Sequence, residues 1–245
     1  MRSDSMPNCA VVVGAGSGTG AELAKLLVDE GYAVVLARRD GASLAPLVTE
    51  IEQRGGSVLA VAADASDQVQ VAHLFDATEQ RFGTPELVVF NVAGIHRAPV
   101  VETSVEQFKA MWQASSLGGF LVGREAAQRM LPRGSGSILF VGATASLKSS
   151  PEFAAFGAGK HGLRAVAGSL ARELGARGIH VGHLIIDGII DVPRVHQSMP
   201  ELVTAAGEGG LIDPKSIAST LLWLHRQPSD AWTFELDVRP YKEPW

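Results

Sequence analysis

A single α/β domain built around an open parallel sheet follows from three features of this sequence. Short apolar runs alternate along the chain with segments of helical spacing. The first run, Ala10 to Val13, breaks into a glycine-rich turn and resumes as a helix-forming stretch. Several later runs end in the same manner, on a glycine or polar residue that precedes another helical pattern. The 245 residues, 46% of them hydrophobic and 19% charged, can bury one large core, and α/β chains of this length often form one domain.

The stretch Val11 to Ala24, VVVGAGSGTGAELA, reads as strand, tight turn and helix. Its turn comprises Gly14, Gly16, Ser17, Gly18, Thr19 and Gly20. Glycines at 14, 18 and 20 let the turn be sharp and the backbone approach a pyrophosphate, whose charge would face the free N–H groups of the new helix. Such glycines also serve ordinary strand-to-helix turns. The context gives the pattern its meaning: a strand before it, helix formers from Ala21 to Leu27 after it, and Gly31 before a second strand complete a βαβ unit.

That second strand, Ala33 to Ala37, ends in Arg38 and Arg39. An acidic residue here would bind the adenosine ribose hydroxyls, whereas arginine accommodates a 2′-phosphate, so NADP(H) is the expected cofactor and NAD(H) the lesser alternative. The alternative is two solvated arginines opening a surface helix, which the position at the strand end makes the lesser reading. A helix over Ala42 to Gln53 stops at Gly55 and Gly56, and Ser57 to Ala63 is the third strand, followed by Asp64. Asp67 to Phe82 is helical up to Gly83, and the fourth strand, Glu86 to Phe90, leads into Asn91, Val92, Ala93 and Gly94. Ligands of open parallel sheets lie beyond the carboxyl ends of the strands, so Gly14, Arg38, Asp64 and Asn91 should converge on one edge.

A long helical pattern covers Thr103 to Leu131, with Thr103 or Ser104 as its cap and Pro132 beyond its end. Gly118, Gly119 and Gly123 inside it imply close packing against the sheet or a partner helix. Ser137 to Val141 is the fifth strand, Phe153 to Gly175 a helix, and Ile179 to Ile186 a strand ending at Asp187 and Gly188. From Ile189 to Asp213 the chain reads as irregular, with two prolines and three glycines, which suggests a lid or substrate-binding segment. A helix over Ser216 to Gln227 and a strand over Trp232 to Val238 close the domain.

Net charge is −5 without a Lys/Arg block, which gives no support to a nucleic-acid surface. No apolar stretch approaches the length of a membrane span and no signal-peptide pattern precedes the first strand, so a cytoplasmic protein without membrane attachment is expected. The single cysteine, Cys9, forbids an internal disulfide. The seven histidines show no metal-ligand spacing, so no metal is expected. There is no Gly-x-Ser-x-Gly elbow of a serine hydrolase.

Over nearly its whole length the sequence resembles the short-chain dehydrogenase/reductase family. Gly14, Gly18 and Gly20 match the family's Thr-Gly-x-x-x-Gly-x-Gly motif, with Val13 in the threonine position. Asp64 falls at the adenine-binding aspartate, and Asn91, Ala93 and Gly94 match Asn-Asn-Ala-Gly, with Val92 in place of the second asparagine. The resemblance implies one doubly wound Rossmann domain over 1–245 with a mainly parallel seven-stranded sheet. It also implies a small-molecule substrate and a homodimer or homotetramer formed through the helices near Gly118 to Met130 and Phe153 to Gly175.

The family's catalytic group is a Tyr-x-x-x-Lys pair on one helix, a serine from the preceding strand end and an asparagine in the long helix. Here Lys160 matches the lysine, but Phe156 stands at the tyrosine position, Ala143 at the serine and Ser115 at the asparagine. Lys160 would bind the nicotinamide ribose, yet a phenyl ring has no proton to give. A positioned acid is worth roughly 10²- to 10⁴-fold, so ordinary family catalysis should be severely impaired. Among replacements, Thr144 could present its hydroxyl beside Ala143. Asp187, with Gly188 at the family's Pro-Gly, is either a proton-transfer group or a cap of its loop. His161 points off the Lys160 face, His183 fits a core histidine, and His96 should lie nearer the substrate. Two functional classes follow: an NADP(H)-dependent oxidoreductase with a non-standard site, acting on a small carbonyl, imine or alcohol, or a catalytically silent NADP(H)-binding sensor or subunit.

Overall fold

A computed structural model describes residues 8–92 and 94–243. The first half runs β1 (Cys9–Val13), α1 (Thr19–Asp29), β2 (Ala33–Arg38), α2 (Ala45–Gln53), β3 (Val58–Ala62), α3 (Gln68–Phe82) and β4 (Leu87–Phe90). Then come α4 (Val105–Trp112), α5 (Gly118–Met130), β5 (Gly136–Val141), α6 (Ala154–Leu174) and β6 (Ile179–Ile186). The chain continues through β7 (Ile189–Ile190), α7 (Pro193–Ser198), α8 (Pro200–Ala206), β8 (Leu211–Ile212), α9 (Pro214–His225) and β9 (Glu235–Val238). The main sheet has seven strands in the order β3-β2-β1-β4-β5-β6-β9, and every neighbouring pair is parallel. The order reverses at β1 and β4, which places the crevice for a ligand beyond their carboxyl ends.

Both faces of the sheet are buried, which is why its strands are continuous apolar runs. Val11, Val35, Phe90 and Phe140 point to one face and pack beneath Phe75 of α3 and Leu163 of α6. Val12, Leu36, Val89 and Leu184 point to the other, beneath Leu27 of α1 and Leu221 of α9. The glycines of α5 admit neighbours that a Cβ would strike: one on Gly119 would lie 2.2 Å from Leu163 Cδ1, and one on Gly123 2.9 Å from Phe140 Cζ. Their close packing is therefore with α6 and the sheet of the same chain. Burial pushes the Cys9 thiol up to about 12, which leaves it a packing residue.

Two stretches differ from the sequence expectation. The long helix is present but not α-helical throughout: Ser104 caps α4 in a reciprocal box with Gln107, and a π-helical turn over Gln113–Leu117 joins α4 to α5 with the backbone helical across it. The segment from Ile189 to Asp213 is not irregular. Pro193 and Pro200 each sit in the first turn of a short helix, where a missing N–H costs nothing, and β7 pairs in parallel with β8. Prolines read as loop signals were helix starts. Among the described residues no helix is long and apolar enough to cross a membrane, and no cluster of three His, Cys, Asp or Glu could hold a metal ion.

Candidate active site

The carboxyl ends of β1, β2 and β4 are joined directly. The Gly14 N–H donates to the Ala37 carbonyl (2.8 Å), the Asn91 N–H to the Val13 carbonyl (2.8 Å), and the Asn91 side-chain amide to the Gly14 carbonyl (3.1 Å). Gly14 has a φ of 89°, and a Cβ there would lie 2.6 Å from the Asn91 carbonyl oxygen. A side chain at Gly20 would lie 2.8 Å from the backbone of Ala15 and Gly14. These two positions need glycine. At Gly16, by contrast, no atom lies within 4 Å of the Cβ direction, so the turn presents bare backbone to open space at the start of α1. Among the described residues Gly18, the residue before α1, has no side-chain cap. Uncovered backbone leading into a helix N-terminus is what a dinucleotide pyrophosphate approaches, so the residues present fit that group.

Around this turn, Arg38 is half-buried and Arg39 exposed at the end of β2, and neither guanidinium has an ion-pair partner among the described residues. Asp64, just past β3, accepts from the Ser66 N–H (2.9 Å) and hydroxyl (2.7 Å), which fixes the orientation of its carboxylate. Gly94 packs against Met111, and Ala93 lies outside the described residues. Val192, which the sequence reading did not single out, covers the turn from above. Its Cγ1 would lie 2.8 Å from a Cβ on Gly18.

The second cluster lies beside β5. Lys160 is 2% exposed and donates to the carbonyls of Val141 (3.0 Å) and Val92 (3.4 Å), tying α6 to the ends of β5 and β4. Burial brings its pKa down to about 8. One turn earlier, Phe156 is half-buried with its ring at 6.3 Å and 61° from that of Phe153. Ser115 sits in the π-helical turn against α6: a Cβ on Gly159 would lie 3.2 Å from its own, and the Ser116 hydroxyl donates to the Gly159 carbonyl (2.8 Å). A π turn inserted in a helix is frequent at functional sites, and here it sets Ser115 beside the residue before Lys160. Ala143 follows β5 and donates its N–H to the Ser146 hydroxyl (3.2 Å).

Thr144 and Asp187 face each other on the far side of this corner. The Thr144 hydroxyl donates to the Asp187 carboxylate, which also forms an ion pair with Arg239 (2.9 Å). Asp187 is 8% exposed and both of its oxygens are engaged. Thr144 therefore spends its proton on Asp187. A cleft of about 410 Å³ opens beside them, lined by Leu147, Lys148, Ile185, Glu235 and Asp237, and it does not reach Phe156 or the glycine turn. His183 is a core histidine: its Nδ1 lies 3.0 Å from Glu235, which also binds Arg164 (2.6 Å), and burial lowers its pKa. His161 turns back to the Gly157 carbonyl (2.9 Å). The Nε2 atoms of His96 and His183 are buried without a partner among the described residues.

The profile of a family described as short chain dehydrogenase matches residues 8–201. A short-chain dehydrogenase structure from Rhodopseudomonas palustris is 40% identical with a TM-score of 0.83, covering 96% of this chain and 99% of its own. An uncharacterized oxidoreductase of Methylorubrum extorquens is 32% identical over 90% of this chain and 86% of its own length. One from Staphylococcus saprophyticus is 28% identical over 94% and 96%. An actinorhodin polyketide ketoreductase with NADPH shares the fold, with a TM-score of 0.88 at 24% identity over 97% of this chain and 98% of that one.

Proposed function

Because the chain belongs to the short-chain dehydrogenase family, we propose that it is an NADP(H)-dependent oxidoreductase acting on a small carbonyl, imine or alcohol. The observation that carries this reading is the pairing of the open glycine turn at Gly16 with the buried Lys160, both at the carboxyl edge of one sheet. The names of the relatives support redox chemistry over a silent binding role. When bound, the nicotinamide supplies or accepts a hydride. Gly14, Gly16, Ser17, Gly18, Thr19 and Gly20 would hold the pyrophosphate, Arg38 and Arg39 the 2′-phosphate, Asp64 the adenine, Asn91, Ala93 and Gly94 the neighbouring ribose edge, and Lys160, Asp187 and Gly188 the nicotinamide end.

Lys160 brings a cation that two carbonyls hold in place, so its charge is fixed where an oxygen of bound ligand would need a donor. Phe156 and Ala143 give no proton. That distribution suits a substrate whose heteroatom needs little help, such as an imine that enters already protonated, better than a simple ketone. The Asp187 carboxylate, engaged by Arg239 and Thr144, orients the loop after β6 in this reading and leaves the proton transfer to solvent or substrate.

The cofactor assignment is tested by fluorescence titration with NADPH and NADH. NADPH should bind more tightly, and the double variant Arg38→Ala/Arg39→Ala should lose roughly ten- to hundredfold in NADPH affinity, the worth of one to two charge-assisted hydrogen bonds, while NADH changes little. Equal affinities in the parent would refute the preference.

The apolar outer stripe of α4, Val105, Phe108 and Trp112, continues onto Phe120 of α5, and all four are more than 40% exposed. At helical spacing such a stripe is a subunit surface, so α5 and α6 with α4 beside them are the expected contact of a homodimer or homotetramer. Light scattering at micromolar concentration should give at least a dimer, and Phe108→Glu/Trp112→Glu should reduce its mass. A parent protein that scatters as a monomer rules this surface out.

A further inference from the structure

The residues after β9 run back over both ends of the segment that begins at Gly188. At its base the Asp187 N–H donates to the Val238 carbonyl (2.9 Å), and the Asp187 carboxylate pairs with Arg239. Arg239 is itself held by Asp237, through its Nε at 3.1 Å and a closer contact of its terminal nitrogen. Gly188 has a φ of 147°, and a Cβ there would lie 2.7 Å from Pro240 Cδ, so the hinge backbone lies directly against the ring. Further along, Tyr241 covers Gly209, with its ring 3.0 Å from the Cβ direction, and the Lys242 ammonium donates to the Glu208 carbonyl. The Asp191 N–H donates to the Ile212 carbonyl (2.8 Å), joining the start of the segment to its end. Between these ties lies Val192, in contact with the glycine turn at Gly18.

We infer that Arg239 is a positioning residue that sets the closure of segment 189–212 over the dinucleotide turn. It acts through Asp187 and the glycine hinge, with Tyr241 and Lys242 as a second tie on the far end. The Asp187 side chain is 12% exposed, so removing Arg239 leaves a largely buried carboxylate without this counter-ion. The α7 and α8 helices between the ties contain no buried residue, and the segment's core contacts are confined to its ends, at Ile190 and Ile212, so the ties at those ends decide how the exposed helices are held. The inference rests on the dinucleotide reading for its consequence in binding, but not for its structural half.

The test is amide hydrogen exchange on the unliganded protein, followed by NADPH titration. In Arg239→Met, amides of 189–212 should exchange about tenfold faster or more while those of β1, β4 and α1 keep the parental rate, the pattern of local and not global opening. NADPH should bind about tenfold more weakly, by the same loss of pre-organisation. Arg239→Lys, which keeps one cation for Asp187, should recover part of both. Tyr241→Ala/Lys242→Ala changes only surface-facing groups of the tail and should speed exchange chiefly at 207–210, which keeps the test open should Arg239→Met fail to fold. Unchanged exchange across 189–212 in the folded variants overturns the inference, as does a uniform rise over the whole sheet. Failure of the parent to bind NADPH, with the exchange pattern as expected, would instead remove the cofactor reading and leave the tie standing.

Discussion

The triple variant Phe156→Tyr/Ala143→Ser/Ser115→Asn is expected to raise turnover of a carbonyl substrate by roughly 10²- to 10⁴-fold over the parent, the usual worth of a positioned acid. Phe156 lies one turn before Lys160, and residues four apart share a helix face, so a phenol at 156 would stand over the buried ammonium. That cation would draw a tyrosine down from its ordinary value of about 10. With its pKa brought to about 8, Lys160 is still mostly protonated at neutral pH and can do so. A serine hydroxyl at 143 would add the second donor to an oxygen that gains charge. Asparagine at 115 is the costly member, because Ser115 packs within 3.2 Å of the Cβ direction of Gly159 and overpacking costs about 1–3 kcal/mol. Phe156→Tyr/Ala143→Ser alone should therefore show most of the gain. The check is NADPH oxidation against a panel of ketones and imines. A variant that still binds NADPH but turns over no ketone faster than the parent would show that the site is not built for carbonyl reduction.

The fold was legible because its determinants are local. Apolar runs such as Ala33 to Ala37 are what a strand buried on both faces looks like, and the glycines at 14 and 20 occupy places where a Cβ would strike backbone. The convergence of Gly14 and Asn91 was readable for the same reason, since strand ends of a parallel sheet lie on one edge. What stayed hidden depends on partners distant in the chain. Nothing around Asp187 announces Arg239, and nothing around Thr144 tells that its hydroxyl would turn to that carboxylate. The π turn at Ser115 leaves no mark in a stretch of ordinary helix formers and serines. Val192 over Gly18 and the helices begun by Pro193 and Pro200 were missed because proline serves loops and first helical turns alike.

Acid should destabilise the fold through the amino edge of the sheet, where His225 is built in as a neutral ring. Its Nδ1 lies 2.8 Å from the Ser137 hydroxyl and its Nε2 3.0 Å from the Tyr32 hydroxyl. Burial, with Arg226 and His180 nearby, pulls its pKa down to about 4. His180, stacked on Trp232 at 5.0 Å and bound to the Thr233 carbonyl, is lowered by burial in the same direction. In the unfolded chain both rings return to the ordinary value of about 6.5. Between that value and about 4 the unfolded state binds the extra proton, so folding stability is full above pH 6.5 and falls as the pH drops through this window. For His225 the loss is on the order of 3 kcal/mol, a large part of a typical domain's margin. Urea unfolding at about pH 7 and about pH 4.5 measures the difference. His225→Gln keeps a donor and an acceptor toward Tyr32 and Ser137 but has no proton to take up, so its stability should depend on pH less steeply than the parent's. Parallel curves for the two proteins would place the acid sensitivity elsewhere, in His180, His183 or the paired carboxylates.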